Sequence, residues 1–229
     1  MIYSIQLLRF LAAILVVITH LRGYVGMSAF GSFGVDIFFV ISGFIISHIT
    51  SFNNKNRNFG TKRLIRILPL YWIFILIIPI MLYLDVTLSF VEVQLTVVNV
   101  LKTLFFIPFY TEGLGFHPLL KLGWTLNFEV YFYLLFFISM KLSYKYRELL
   151  CTIMLLLIII LTRLFAEDSD LKFYSWSVSL EFSLGMIVSL IYRHYLIDLK
   201  SSNLTRYLVF VFSSFLLCVY FYFFGADTN

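Results

Sequence analysis

Long apolar runs alternate with short polar links along the whole chain. Seven of these runs, roughly 5–22, 34–51, 64–84, 122–140, 150–166, 174–192 and 207–224, predict helices. Each comes close to the roughly 20 residues that an α-helix needs to cross the hydrocarbon core of a bilayer. A transmembrane barrel would show shorter segments of alternating polarity, and the runs here are continuous. The expected fold is therefore all-α: a polytopic transmembrane helical bundle of about seven spans, forming one membrane domain over residues 1–229.

The links fix an expected orientation. The link 52–63, "FNNKNRNFGTKR", is basic, the link 141–149 holds Lys141, Lys145 and Arg147, and the link 193–206 holds Arg193, Lys200 and Arg206. The stretch 166–171, "AEDSDL", is acidic by contrast. Positive charge collects on the cytoplasmic side of spanning helices. The three basic links are thus expected in the cytoplasm, with the N-terminus inside and the C-terminus outside. The stretch 85–121 must then begin and end outside. Its part "VQLTVVNVLKTLFFIPFY" is apolar but broken by Asn99 and Lys102, with Glu92 just ahead of it. That pattern suits an interfacial or re-entrant segment better than a tight pair of further spans.

Composition agrees with this picture and narrows it. Of 229 residues, 61% are apolar, 20% aromatic and only 13% charged. Soluble domains usually hold about 45–50% apolar residues. The net charge of +5 lies in the links, where it reports orientation and gives no reason to expect nucleic acid. Cys151 and Cys218 fall in or beside different apolar runs, as small core residues rather than a pair. No Cys/His grouping has metal-ligand spacing, so no metal is expected. Arg9 inside the first run and the hydrophobic segment after it argue against a cleaved signal peptide.

Candidate chemistry rests on ionisable residues inside the runs, which are costly in lipid and tend to face a bundle interior. In "LRFLAAILVVITH" (8–20), Arg9 and His20 are eleven positions apart. At 100° per residue they share one helix face, separated by ~16 Å along the axis. An arginine snorkelling to the cytoplasm and an interfacial histidine would also produce this pair. Asp36, near the outer end of the second run, could orient the imidazole of His20, or it could cap its own helix. Arg63 and Arg66 in "TKRLIRILPLYW" (61–72) are neighbours on one face at the cytoplasmic mouth. Their planar forks suit phosphate, though they also serve as an orientation signal and a contact for membrane lipid. Glu129, in "LGWTLNFEVYFYLLF" (122–136), has no simple structural explanation, whereas Trp124, Tyr131 and Tyr133 fit an aromatic belt. Ser42 and Gly43 read as small packing residues. "WTLNFE" (124–129) and "WSVSLE" (176–181) echo one another too briefly to establish a repeat, which leaves Glu181 a weaker candidate.

Together, Arg9 with His20, "GVDIFFVISGFIIS", "KRLIRILPLYW" and "GWTLNFEVYFY" resemble, in order and spacing, the acyltransferase-3 family of integral membrane acyltransferases. "EFSLGMIVS" (181–189) is similar to a later, weaker family segment, and "WTLNFEVYFYLLF" looks most like the exopolysaccharide-production branch. Members usually carry more spans than the seven predicted here, so C-terminal helices are expected to be missing. The resemblance implies an O-acetyltransferase in the bacterial cytoplasmic (inner) membrane. The acyl donor, usually acetyl-CoA, would enter from the cytoplasm, and the acceptor would be a hydroxyl of a polysaccharide or lipid-linked sugar. It implies Arg9, Arg63 and Arg66 as donor-binding residues. It also implies catalytic roles for His20, as a base or acyl relay, with Asp36 orienting it, and for Glu129, in acceptor binding or as a second acid/base group. A transporter, or a non-catalytic subunit of a polysaccharide assembly system, would bury the same residue types.

Overall fold

A computed structural model of the chain describes residues 3–20, 33–52, 59–84, 95–111, 115–166 and 169–196. Seven α-helices are present among them: α1 (Tyr3–His20), α2 (Phe33–Phe52), α3 (Phe59–Tyr83), α4 (Val97–Leu104), α5 (Trp124–Leu142), α6 (Arg147–Phe165) and α7 (Leu180–Ile191). A two-residue hairpin, β1 (Tyr110–Thr111) against β2 (Gly115–Phe116), follows α4. The predicted run 207–224 lies outside the described residues.

The apolar runs become helices because only a helix satisfies every backbone polar group within the segment in lipid. Among the described residues, three helices are long and apolar enough to cross a membrane: Phe33–Ser51, Trp124–Leu142 and Arg147–Phe165. Ile5–Ile18 and Ile67–Met81 are shorter apolar stretches within α1 and α3. Large apolar side chains such as Phe10, Ile14, Phe74, Leu157 and Leu161 lie exposed on α1, α3 and α6. In lipid that surface carries no hydrophobic cost. The chain is a helical membrane protein.

One predicted span takes a different form. Residues 174–192 are not a continuous α-helix: 3₁₀ turns at Asp170–Ser175 and Ser177–Ser179 precede α7. Phe173 is fully buried there, stacked on Phe128 at 4.3 Å. Trp176 packs against the rings of Trp124 and Phe128 at 5.8 and 5.9 Å. These aromatic contacts hold the chain in a tight turn that the helical periodicity of the sequence does not reveal.

Helix contacts depend on small residues. A Cβ at Gly34 would lie 2.5 Å from the Ala12 carbonyl oxygen, so α1 and α2 touch backbone to backbone. At the crossing of α2 and α7, a Cβ at Gly43 would lie 2.1 Å from the Phe182 oxygen, and one at Gly185 2.0 Å from that of Val40. Around this crossing the core is aromatic, with Phe39, Phe128, Phe132, Phe136 and Phe182 buried and Phe132 stacked on Phe182 at 4.1 Å. A second core joins α3 to the α4 region through Tyr71, Ile75, Ile78, Phe106 and Leu119.

The two ends of the bundle differ. At one end the last two turns of α2, the first of α6 and the residues after α7 meet through Ser47, Glu148 and Arg193. These residues flank or belong to the links 52–63, 141–149 and 193–206. At the other end Lys102 of α4 pairs with Asp170 at 2.7 Å, and the Tyr110 N–H donates to Asp170 Oδ1 at 2.9 Å. There the stretch 85–121 therefore meets the turn that follows α6. Within it, α4 starts at Thr96, whose hydroxyl accepts from the Asn99 N–H at 3.2 Å.

Candidate functional site

Three of the helices that carry the sequence motifs, α2, α3 and α5, converge on one polar cluster. Glu129 Oε1, in the second turn of α5, accepts hydrogen bonds from the Tyr133 hydroxyl and, at 3.5 Å, from Ser42 Oγ of α2. Tyr133 follows Glu129 by four residues, so the two side chains stand one above the other on one helix face. Arg63 of α3 lies within electrostatic reach of the Tyr133 hydroxyl. A carboxylate that accepts from two hydroxyl donors is held in one orientation, with further lone pairs able to grip a hydroxyl.

This arrangement changes two sequence readings. Tyr133 is buried and serves Glu129, so it is not part of an aromatic belt at the lipid surface. Trp124 also turns inward, edge-on to Phe39 and Phe128 at 6.3 and 6.1 Å. Aromatic composition alone cannot tell a lipid interface from an aromatic core. Ser42 does more than pack: its neighbour Gly43 makes the close helix contact, and its hydroxyl reaches Glu129.

Asp36 lies in the first turn of α2, with its carboxyl within hydrogen-bonding reach of that of Glu181 in the first turn of α7. Glu181, a weaker candidate than Glu129 in the sequence, thus meets the candidate residue Asp36. The signal was its echo of Glu129. Trp124 and Trp176 pack together, and the glutamate five residues after each meets α2, Glu129 at Ser42 and Glu181 at Asp36. Glu181 Oε2, Ser183 Oγ and both polar atoms of the Asn127 amide are buried with no hydrogen-bond partner among the described residues.

The remaining candidates are placed in part. Arg9 and His20 both belong to α1, eleven positions apart on one continuous helix, and Arg9 is half-buried. The side chains of His20 and Arg66 lie outside what the structure describes, as do any contacts of His20 with Asp36. Among the described residues no group of three or more His, Cys, Asp and Glu could hold a metal ion.

A second polar cluster, at the end where α2 and α7 finish, was not anticipated. Glu148 Oε1 pairs with Arg147 Nη2 and Arg193 Nη2, both at 2.8 Å, and accepts from Ser47 Oγ at 2.9 Å. Arg147 also donates from Nε to Thr50 Oγ1 at 3.2 Å and from Nη1 to the Tyr144 carbonyl at 2.6 Å. Its guanidinium lies 4.6 Å from the centre of the Tyr144 ring, and the Tyr144 hydroxyl donates to the Thr50 carbonyl. One buried carboxylate thereby ties three chain segments together.

Comparison with known proteins agrees with the motif order. Residues 2–229, nearly the whole chain, match the acyltransferase-3 family profile, described as an acyltransferase domain. The chain belongs to the acyltransferase-3 family. Over 161 residues it is 37% identical to exopolysaccharide production protein ExoZ of Rhizobium meliloti (strain 1021). The aligned part covers 69% of this chain and 50% of ExoZ, so the match spans about half the length of that relative. No solved structure matches.

Proposed function

We propose that this acyltransferase-3 chain is a membrane O-acyltransferase. It moves an acetyl or other short acyl group from cytoplasmic acyl-CoA to a hydroxyl of an exported or cell-surface polysaccharide, in the bacterial inner membrane. The observation that carries the reading is the meeting of motif-bearing helices α2, α3 and α5 at Ser42, Arg63, Glu129 and Tyr133. Family membership and the relationship to an exopolysaccharide production protein support it.

In this reading the end of the bundle rich in basic links faces the cytoplasm, following the positive-inside rule. Arg9, Arg63 and Arg66 hold phosphates of the donor, which lies along α1 with its thioester toward His20. The acceptor hydroxyl attacks the thioester carbonyl, the carbon–sulfur bond breaks, and the coenzyme leaves as a thiol. His20 takes the hydroxyl proton and returns it to the departing sulfur. Asp36, in contact with Glu181, sets the charge near that base, and Glu129 grips the acceptor sugar. Buried polar groups such as Asn127 and Ser183 suit the many hydroxyls of a sugar.

The test is O-acetylation of surface polysaccharide in cells carrying His20→Ala or Arg9→Ala. Both variants are expected to lose acetylation at normal membrane abundance. Full acetylation in either would refute the mechanism. An unacetylated substrate accumulating inside cells while acetyl transfer by isolated membranes remains intact would favour a transporter.

A further inference from the structure

A recess of about 300 Å³ lies at the end of the bundle where α7 finishes and α6 begins. It is lined by Lys145, Arg147, Glu148, Leu190, Arg193 and His194. The clamp on Glu148 explains part of this lining, because all three donor nitrogens of Arg147 are spent on Thr50, Tyr144 and Glu148. It does not explain the rest. Three cations and one carboxylate line the recess, an excess of positive charge.

The excess falls on particular groups. Arg193 spends one nitrogen, Nη2, on both Glu148 and Ser47, and its Nε is buried with no hydrogen-bond partner among the described residues. Lys145 and His194 are exposed on the rim, with the Lys145 ammonium 5.1 Å from the centre of the Tyr146 ring. A guanidinium fork, an ammonium and an imidazole around a concave space form a donor set suited to phosphate oxygens. The volume is at the small end for ligand sites, enough for a phosphate and the small group that bears it.

We propose that this recess is a phosphate-binding site, in which Arg193, Lys145 and His194 hold a phosphomonoester or phosphodiester group. It is a different set of residues from Arg9, Arg63 and Arg66. The inference rests on its own geometry and stands or falls independently of the acyltransferase reading. The phosphate has two natural carriers at such a place, a soluble nucleotide or the headgroup of an anionic lipid.

The full chain in phosphatidylcholine nanodiscs, titrated with adenosine 3′,5′-bisphosphate, tests the first carrier. Nanodiscs with increasing phosphatidylglycerol test the second. The readout is the shift in unfolding temperature, which a ligand raises only by binding the folded state. The comparison is with a Lys145→Glu/His194→Glu double variant, whose exposed positions keep the buried clamp intact. Saturable stabilisation by either probe, weakened about tenfold or more in the double variant, supports the site. The probe that acts identifies the carrier. No saturable stabilisation by either probe, or equal stabilisation of the double variant, overturns it.

Discussion

Gly185→Ala separates two forces of opposite sign. In an isolated helix this change stabilises by about 1 kcal/mol, because glycine loses more backbone freedom on folding than alanine. Here the new Cβ would lie 2.0 Å from the Val40 carbonyl oxygen and 2.7 Å from the Phe44 nitrogen. Both are backbone atoms of α2, which cannot swing aside as a side chain could. Ordinary contact begins near 3.4 Å, so α2 and α7 must part by about 1.4 Å at their crossing. Overpacking of this kind costs about 1–3 kcal/mol, enough to outweigh the propensity gain. Net destabilisation of up to about 2 kcal/mol is therefore expected, and the separation also pulls Glu181 from Asp36. The assay is thermal unfolding of purified protein in detergent, with the exposed Ile187→Ala as control. A Gly185→Ala variant as stable as the parent, or more so, would refute the view that close backbone approach at this crossing holds the bundle together.

Further tests follow from other contacts. Glu148→Ala leaves Arg147 and Arg193 without their shared carboxylate in a nearly buried site and should cost about 3–5 kcal/mol, seen as loss of folded protein from membranes. Near-normal stability would show that the clamp is idle. Tyr133→Phe removes one hydroxyl donor from Glu129. A hydrogen bond to a charged group is worth about 1.5–3 kcal/mol, so acyl transfer should fall at least tenfold with protein levels unchanged. The Lys102–Asp170 pair is about a third exposed on each side. Lys102→Ala should therefore cost no more than about 1 kcal/mol in chemical denaturation. Asp170→Ala should cost more, since the Tyr110 N–H also loses its acceptor.

The parts of the fold legible in the sequence are those set by run length. The run 34–51 became Phe33–Phe52 and the run 122–140 became Trp124–Leu142, because roughly twenty uninterrupted apolar residues leave few alternatives in lipid. The 3₁₀ turns before α7 were not legible, since burial of Phe173 and Trp176 against α5 decides them and those contacts are remote in sequence. The same holds for the site. Glu129 stood out as a carboxylate inside an apolar run, yet its partner Ser42 is 87 residues away. Arg147 and Arg193 were read as orientation charges, and Glu148 escaped notice beside its basic neighbours. Their convergence depends on how α2, α6 and α7 pack, which no local pattern encodes.

The central claim is that the helices bearing Arg9, His20, Asp36, Arg63 and Glu129 form an acyl-transfer site. Its most direct test is transfer of labelled acetyl from acetyl-CoA to polysaccharide by isolated membranes containing the parent chain, His20→Ala, Arg63→Ala or Glu129→Gln. The account predicts transfer by the parent and loss in all three variants, with each still present in the membrane. Transfer that persists undiminished in His20→Ala membranes would contradict it.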